Sequence, residues 1–211
     1  MTDKLNLTRR VTLAMIASAA ATTVTTPVFA QAAIDDIVVE EMSQGDADAP
    51  ITMIEYASYT CPHCRSFHED VYPLIKENYI DTGMVRMIYR PVYFDRLGLW
   101  ADLLARCGGP DRFFGLAGMI YENQSAWTQG AGAVDIVDNL YGLGRLAGLN
   151  DAEMEACMQN NDMAQALVTD ATANLENDDI GGTPTFIING KTISNMPYSG
   201  FVEEFDRLLA S

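Results

Sequence analysis

Two cysteines stand two residues apart in the segment Cys61-Pro62-His63-Cys64, and cysteine pairs at this spacing support three kinds of chemistry. The thiolates can ligate zinc, the pair can form a structural disulfide, or the pair can exchange disulfides with another protein. The elements that position the two sulfurs decide among these possibilities.

The residues around the pair indicate a strand that leads into a helix. Residues 51–57 are mostly apolar on both faces, which predicts a strand inside a sheet covered on both sides. From Pro62 to about Tyr79 the apolar residues have helical spacing. Proline suits the first helical position, because its missing N–H would have no partner there.

Cys61 is therefore predicted to lie at the helix start, beside unpaired backbone N–H groups and the positive end of the helix dipole. This position stabilises a thiolate and lowers the pKa of the thiol. His63, between the cysteines, can add a positive charge or a hydrogen bond. Cys64 lies one turn further in and is predicted to be more covered, which suits the cysteine that re-forms the disulfide.

The two other interpretations fit the sequence less well. Zinc needs further ligands, and Cys107 and Cys157 are isolated rather than paired as in a zinc ribbon. A structural disulfide across two intervening residues gains little, because its entropic benefit grows with loop length. We therefore predict a redox-active Cys61–Cys64 pair and no metal. With that pair formed, Cys107 and Cys157 remain, and we predict a second, structural disulfide between them.

The first thirty residues are typical of an export signal. A basic segment ending in Arg9-Arg10 precedes a short apolar run at 11–21, and residues 28–30 resemble a signal peptidase site. We expect cleavage after about Ala30 and export to a compartment where disulfides persist. The two arginines also resemble a twin-arginine signal, so the export route stays open.

Charge and composition limit the class of partner. The 211 residues include 29 acidic and 13 basic side chains, a formal net charge of −16. Nucleic-acid binding needs clustered lysine and arginine, so this charge argues against a polyanion partner. With 48% hydrophobic residues, the chain can bury a core without relying on disulfides to fold.

The remaining pattern predicts an α/β fold with a mixed sheet and an all-helical insertion. Strands are predicted at 37–42, 51–57, 84–90, 185–188 and 191–193, and Asn189-Gly190 is a strong hairpin signal between the last two. Residues 97–177 show helical spacing only, with a capping box at residues 150–153. We predict an insertion at 97–177 within a domain of 31–96 and 178–211.

Two more polar residues lie near the pair in sequence. Two-residue alternation places Glu55 on the same strand face as Ile51 and Met53, so we expect it to be buried. A solvated position on an edge strand is the alternative. His68 lies one helical turn past Cys64, and we expect it at the surface.

The order of these features resembles the DsbA-like family of thioredoxin-fold thiol-disulfide oxidases. The features are a strand, Cys-Pro-His-Cys, a helix, a helical insertion, and Gly182-Thr183-Pro184-Thr185 before a returning strand. The resemblance covers essentially all of residues 35–211. It implies that Cys61 is the nucleophile and Cys64 its buried partner. It also implies that Pro184 is a cis-proline facing the disulfide and that the Thr183 backbone binds substrate.

The same resemblance implies that Glu55 is a buried acid that assists proton transfer at the buried cysteine. The family's oxidising prototype pairs this acid with a lysine, and the strand predicted at 84–90 contains none. Arg86 and Arg90 are the candidates for the basic partner of Glu55.

The resemblance implies a periplasmic, monomeric thiol-disulfide oxidase whose only redox group is its own disulfide. Its partners would be reduced exported polypeptides and a DsbB-like, quinone-linked membrane oxidase that restores the disulfide. Two alternatives remain open, namely a disulfide isomerase or reductase of the same fold and a non-catalytic thioredoxin-like module that handles metal or assists assembly. The pKa of the Cys61 thiol discriminates among them.

Overall fold

The computed structural model describes residues 37–210, and the predicted export signal at 1–30 lies outside them. The strands form a single mixed sheet of order β1-β3-β2-β4-β5, in which only the β2–β3 pair is parallel. Their bounds are β1 Met42–Gln44, β2 Ile51–Ala57, β3 Val85–Pro91, β4 Thr185–Ile188 and β5 Lys191–Ser194.

Helices lie on the faces of the sheet, and most of them lie between β3 and β4 in the order of the chain. Two of them, α1 and α2, together with a π-helical turn, connect β2 to β3, six helices follow β3, and α9 follows β5. The mixed sheet with a helical insertion, as predicted, is confirmed. The bounds are α1 Pro62–Asp70, α2 Tyr72–Ile75, the π-helical turn Lys76–Ile80, α3 Arg96–Cys107, α4 Pro110–Glu122, α5 Gln124–Trp127, α6 Ala133–Leu146, α7 Asp151–Met158, α8 Asn161–Asn177 and α9 Tyr198–Leu209.

The first strand begins later than the sequence pattern indicates. The sequence predicts a strand at 37–42, whereas the observed β1 starts at Met42 and pairs with the middle of β3, Met42 opposite Tyr89. The preceding glutamates are exposed, and Glu41 forms an ion pair with Arg90 instead of joining the sheet. The β-prone residues at 37–39 were therefore insufficient to define the strand, because strand pairing determined the boundary.

The predicted single helix over 62–79 is broken in the structure. Helix α1 ends at Asp70, α2 begins at Tyr72, and the last turn is π-helical. Pro73 explains the break, because proline has no N–H to continue the hydrogen-bond ladder and its ring crowds the preceding turn. The break leaves α1 as a nine-residue helix that carries both active-site cysteines at or near its start.

Strand β2 is the central element that leads to the cysteine pair. Ile51 and Met53 on one face pack against α1 and α9 through Phe67 and Phe201, all almost fully buried. The opposite face carries Tyr56, which packs in a separate cluster. A strand buried on both faces holds its carboxyl end firmly, and that end leads through Ser58, Tyr59 and Thr60 to the cysteine pair.

A larger core fills the space between the sheet and the helices of the insertion. It includes both Cys61 and Cys64, together with residues of α3, α4 and α6 such as Leu104, Phe113 and Leu140. The cysteine pair therefore lies where the sheet and the helical insertion meet. Within residues 37–210, the helices are too short or too polar to traverse a lipid bilayer.

Two local predictions are confirmed. Asn189 and Gly190 both have positive φ, at 45° and 81°, in the turn between β4 and β5. Asn150 caps helix α7, and its side chain and that of Glu153 each accept a hydrogen bond from the other's backbone N–H. Both features follow from short-range geometry, which the sequence specifies directly.

Candidate active site

Cys61 occupies the N-cap of α1, as the sequence predicts. Its backbone is extended, with φ −82° and ψ 121°, and Pro62 follows at the first helical position. The Cys61 N–H donates to the carbonyl of Ser58 at 3.1 Å, and the Cys61 carbonyl accepts the first helical bond, from Arg65. The loop and helix therefore fix the sulfur at the positive end of the helix.

The surroundings of Cys61 favour its thiolate. The pKa of this thiol is lowered to about 5, chiefly by a hydrogen bond from the Cys64 thiol. Burial opposes the shift, whereas the Thr183 side chain and the backbone N–H groups of Cys64 and His63 add to it. Cys61 keeps 9% of its surface exposed, so a substrate sulfur can reach it.

The surroundings of Cys64 instead favour its protonated thiol. Cys64 is fully buried, and its pKa is raised, first because its thiol donates to Cys61, then because of burial and the negative charge of Glu55. At neutral pH the pair therefore consists of a thiolate at Cys61 and a thiol at Cys64. A nucleophile at the surface and a protonated partner beneath it form the arrangement that disulfide exchange requires.

The loop before β4 approaches the same sulfur. The Thr183–Pro184 peptide bond is cis, and the Thr183 carbonyl lies 3.5 Å from the Cys61 sulfur. Pro184 is buried, and the Thr185 hydroxyl donates to the Gly182 carbonyl at 2.7 Å. The structure therefore brings the two predicted motifs, 120 residues apart in sequence, into contact.

His63 lies on the exposed side of α1. Its backbone N–H donates to the Cys61 sulfur, which is one of the contacts that favour the thiolate. This main-chain contact depends on the position of residue 63 at the helix start. The imidazole is exposed to solvent.

Glu55 is fully buried, as expected, and its partner is His68. The His68 Nε2 lies 3.0 Å from each carboxylate oxygen of Glu55, and the His68 side chain is only 2% exposed. The expectation that His68 lies at the surface was wrong. Cys64 and His68 are four residues apart, so they share a helix face, and that face turns towards the sheet.

Neither arginine of β3 replaces the missing lysine. Arg90 donates to Tyr56 and Asp178, both at 2.8 Å, and Arg86 donates to Ser43. Glu55 points to the opposite sheet face from Tyr56, its neighbour in sequence. The proposed arginine partners are therefore corrected, because strand alternation directs Arg90 away from the carboxylate.

Gln124 is a site residue that the sequence did not reveal. Its side-chain nitrogen donates to the carbonyls of Tyr59 at 2.8 Å and Cys61 at 3.0 Å, and the residue is 5% exposed. Gln124 begins the four-residue helix α5 in the insertion, so this contact joins the insertion to the catalytic loop. A lone glutamine in a polar turn carries no sequence signal for such a role.

Cys107 at the end of α3 and Cys157 in α7 form a disulfide, with Cα atoms 5.8 Å apart. It links two helices that both lie in the insertion. Its structural role stays a prediction. Within residues 37–210, no cluster of three or more His, Cys, Asp and Glu side chains could hold a metal.

Comparison with known proteins places the chain and its fold in one family. A family model described as thioredoxin matches residues 38–207. Disulfide bond formation protein D of Bacillus subtilis is 28% identical over 158 residues, which are 72% of this chain and 68% of that protein. A Rickettsia typhi protein, provisionally named a protein-disulfide oxidoreductase, is 26% identical over 170 residues, or 80% of this chain.

The chain spans a little under two-thirds of the Rickettsia relatives' own length, 62% of the R. typhi protein and 64% of its R. bellii counterpart. Among solved structures, Wolbachia pipientis alpha-DsbA1 has a TM-score of 0.76 at 27% identity, with 82% of this chain and 93% of that chain covered. From the family match and this structural likeness, we conclude that the chain belongs to the thioredoxin family and has the fold of its DsbA-like members.

Proposed function

We propose that this protein is an exported thiol-disulfide oxidase that transfers its Cys61–Cys64 disulfide to folding proteins. The observation that carries the proposal is the contrast between the two thiols, with the pKa of Cys61 lowered to about 5 and that of Cys64 raised. The names of the relatives, a disulfide bond formation protein and alpha-DsbA1, point to the same activity.

The reaction begins with the oxidised pair. A substrate thiolate attacks the Cys61 sulfur, a bond forms between these two sulfurs, and the Cys61–Cys64 bond breaks. The electron pair of that bond goes to Cys64, which then takes up a proton. The attack falls on Cys61 because it is partly exposed, whereas Cys64 is fully buried.

A second substrate thiolate then attacks the substrate sulfur of the mixed disulfide. The substrate leaves with its own disulfide, and Cys61 leaves as a thiolate. A leaving group with a low pKa departs faster, and a stabilised reduced form makes the protein disulfide more oxidising. The low pKa of Cys61 therefore favours the flow of electrons from substrate into this protein.

The substrate is an extended, reduced polypeptide. The Thr183 backbone, at the mouth of the site beside Cys61, offers hydrogen bonds to such a chain in the manner of strand addition. Cis-Pro184 lacks an N–H and serves as the apolar floor beside the disulfide. In this proposal the site roles are nucleophile for Cys61, resolving thiol for Cys64, substrate contact for His63 and Thr183, and buried acid for Glu55.

The proposed setting follows from the leader sequence and the activity. Cleavage after about Ala30 would release the protein into the periplasm, and the domain boundaries remain as predicted at 31–96, 97–177 and 178–211. An oxidase that accepts two electrons per cycle needs reoxidation. We assign this step to a DsbB-like, quinone-linked membrane oxidase, and we propose that the protein acts as a monomer.

The proposal is tested by thiolate absorbance near 240 nm, followed against pH in the reduced protein and in a Cys61→Ser variant. We expect a midpoint near pH 5 that the variant lacks. The oxidised protein should then convert a reduced, multi-cysteine protein to its disulfide form. A midpoint near 8.5, the ordinary cysteine value, would contradict the proposal. Reshuffling of scrambled disulfides without net oxidation would identify an isomerase instead.

A further inference from the structure

A buried acid–base pair lies beneath the cysteine pair, and the exchange steps above leave its imidazole without a role. Glu55 comes from the central strand β2 and His68 from α1, and the His68 Nε2 contacts both carboxylate oxygens at 3.0 Å. Glu55 has 0% and His68 2% of its side chain exposed. Two titratable groups have therefore been removed from water together.

The groups around the pair carry no compensating charge. His68 stacks on Tyr121 with ring centres 4.1 Å apart, and it also contacts Tyr72 and Tyr89. Burial raises the pKa of all three tyrosines above the ordinary value, so they remain neutral phenols. The rings also contact Tyr59, Phe67, Phe113 and Gln44, and the carboxylate acts on Cys64. The nearest other charges belong to ion pairs, because Tyr89 lies within electrostatic range of Asp102, which pairs with Arg106, and Tyr72 lies within range of Asp81, which pairs with Lys76.

The geometry favours one shared proton between the two groups of this pair. A lone carboxylate without a positive partner is costly to bury, and among the described residues His68 is the basic group in contact with Glu55. With the proton bound, Glu55 and His68 have zero net charge, and after its release they carry one negative charge. The Nδ1 of His68 is buried without a hydrogen-bond partner within residues 37–210, so no carbonyl or second acid fixes its protonation.

The pair also acts on Cys64. The charge of Glu55 is one cause of the raised Cys64 pKa, and Tyr121 lies within range of both Cys64 and Glu55. A negative charge on the pair opposes a thiolate at Cys64, whereas a neutral pair does not. The charge state of the pair and the proton of Cys64 are therefore linked.

We propose that His68 is a positioning residue that makes Glu55 and His68 a single proton reservoir for Cys64. When substrate attacks Cys61 and the disulfide opens, Cys64 leaves with the electron pair, takes the proton from the neutral pair, and the pair becomes an anion. In the reverse step, Cys64 gives its proton to the anionic pair as its sulfur attacks Cys61 in the mixed disulfide, the bond from Cys61 to the substrate sulfur breaks, and the substrate leaves as a thiolate. The inference rests on the proposed exchange reaction, and it adds the imidazole as the group that sets the working pH.

The experiment uses the reduced protein and the aromatic disulfide DTNB. Cys61 attacks first, which releases one aryl thiolate and leaves an aryl mixed disulfide on Cys61. Cys64 then loses its proton, attacks the Cys61 sulfur and releases the second aryl thiolate. Stopped-flow absorbance resolves the two releases, so the first phase reports Cys61 and the second reports Cys64 in one trace at each pH.

In the wild-type protein, we expect the second-phase rate to show an inflection as the pair loses its proton. In His68→Gln the amide still donates to Glu55, but a carboxyl, the weaker base, is the only proton site. The inflection should move to lower pH, because the imidazole no longer contributes to the proton affinity of the pair. Glu69→Gln, a matched change at an exposed carboxylate of the same helix, should leave the inflection at the wild-type pH.

A second-phase profile that is identical in the wild type and in His68→Gln would overturn the inference, whether or not an inflection is present. A slow first phase that requires alkaline pH would instead refute the proposed oxidase chemistry. Should His68→Gln fail to fold, imidazole NMR of His63→Gln observes His68 alone, because the chain has two histidines. Its protonation midpoint must coincide with the kinetic inflection, and a His68 that holds one state throughout would refute the proposal.

Discussion

Replacement of Gln124 by leucine should loosen the catalytic loop while leaving the side-chain volume nearly unchanged. The Gln124 amide donates to the carbonyls of Tyr59 and Cys61 from within a buried contact between the insertion and the loop. Leucine cannot donate, so both carbonyls lose this partner. The Cys61 carbonyl retains its helical bond from Arg65.

The expected loss of unfolding free energy follows from the two hydrogen bonds of the Gln124 amide. A buried carbonyl left without a partner costs about 1–3 kcal/mol, which applies to Tyr59, and the second bond to the Cys61 carbonyl contributes about 0.5–1.5 kcal/mol. Their sum is about 2–4 kcal/mol of the free energy of unfolding. For a domain of this size, each kcal/mol lowers Tm by roughly 2–4 °C, which gives a fall of about 5–15 °C.

Urea unfolding of the oxidised protein measures this loss, with Gln159→Leu as the matched control. Gln159 is exposed at the end of α7, where its amide contacts only a neighbouring surface carboxylate, Glu155. The control should stay within about 0.5 kcal/mol of the wild type. Equal unfolding free energies for Gln124→Leu and the control would refute the view that Gln124 holds the catalytic loop.

Three further predictions concern the second disulfide, the Cys61 thiol and a polar network below the sheet. Double replacement of Cys107 and Cys157 by alanine should cost about 4 kcal/mol in urea unfolding, from the chain-entropy model for their separation of 50 residues. In the reduced protein, the Cys61 pKa is lowered in the folded state, so its stabilisation is present above the unfolded value of about 8.5 and is lost as pH falls through about 5. The stability advantage over Cys61→Ser should shrink across that window. Tyr56→Phe removes a hydroxyl that donates to Asp178 at 2.5 Å, and it should cost about 1–3 kcal/mol, whereas Tyr198→Phe should cost little.

The parts of the fold that follow from local rules were predictable. The central strand 51–57, the Asn189-Gly190 turn and the cap at Asn150 match the structure, because each depends on neighbours a few residues away. The start of β1 and the break at Pro73 did not follow from hydrophobic spacing. Strand pairing determined the first, and a missing backbone donor determined the second.

The candidate site also contains residues that the local sequence predicts and residues that it does not. Cys61, Cys64 and Pro184 lie in motifs whose local sequence is specific, and the structure brings them together. Gln124 acts through main-chain carbonyls 63 and 65 residues away, and no pattern of residue types records that contact. Only the packing of the insertion against the loop reveals it.

The burial of His68 against Glu55 follows from two separate features of the sequence. Residues 64 and 68 are four apart on a helix, so a buried Cys64 implies that His68 faces the same way. Glu55 shares a strand face with Ile51 and Met53, the face on which that helix must pack. Glu55 has no lysine partner, and His68 lies on the side of the helix that faces it. The two form a pair, because neither can be buried alone without losing its charge. The absence of the expected lysine was therefore a reason to look for the basic partner on the helix, where the structure has it at 3.0 Å.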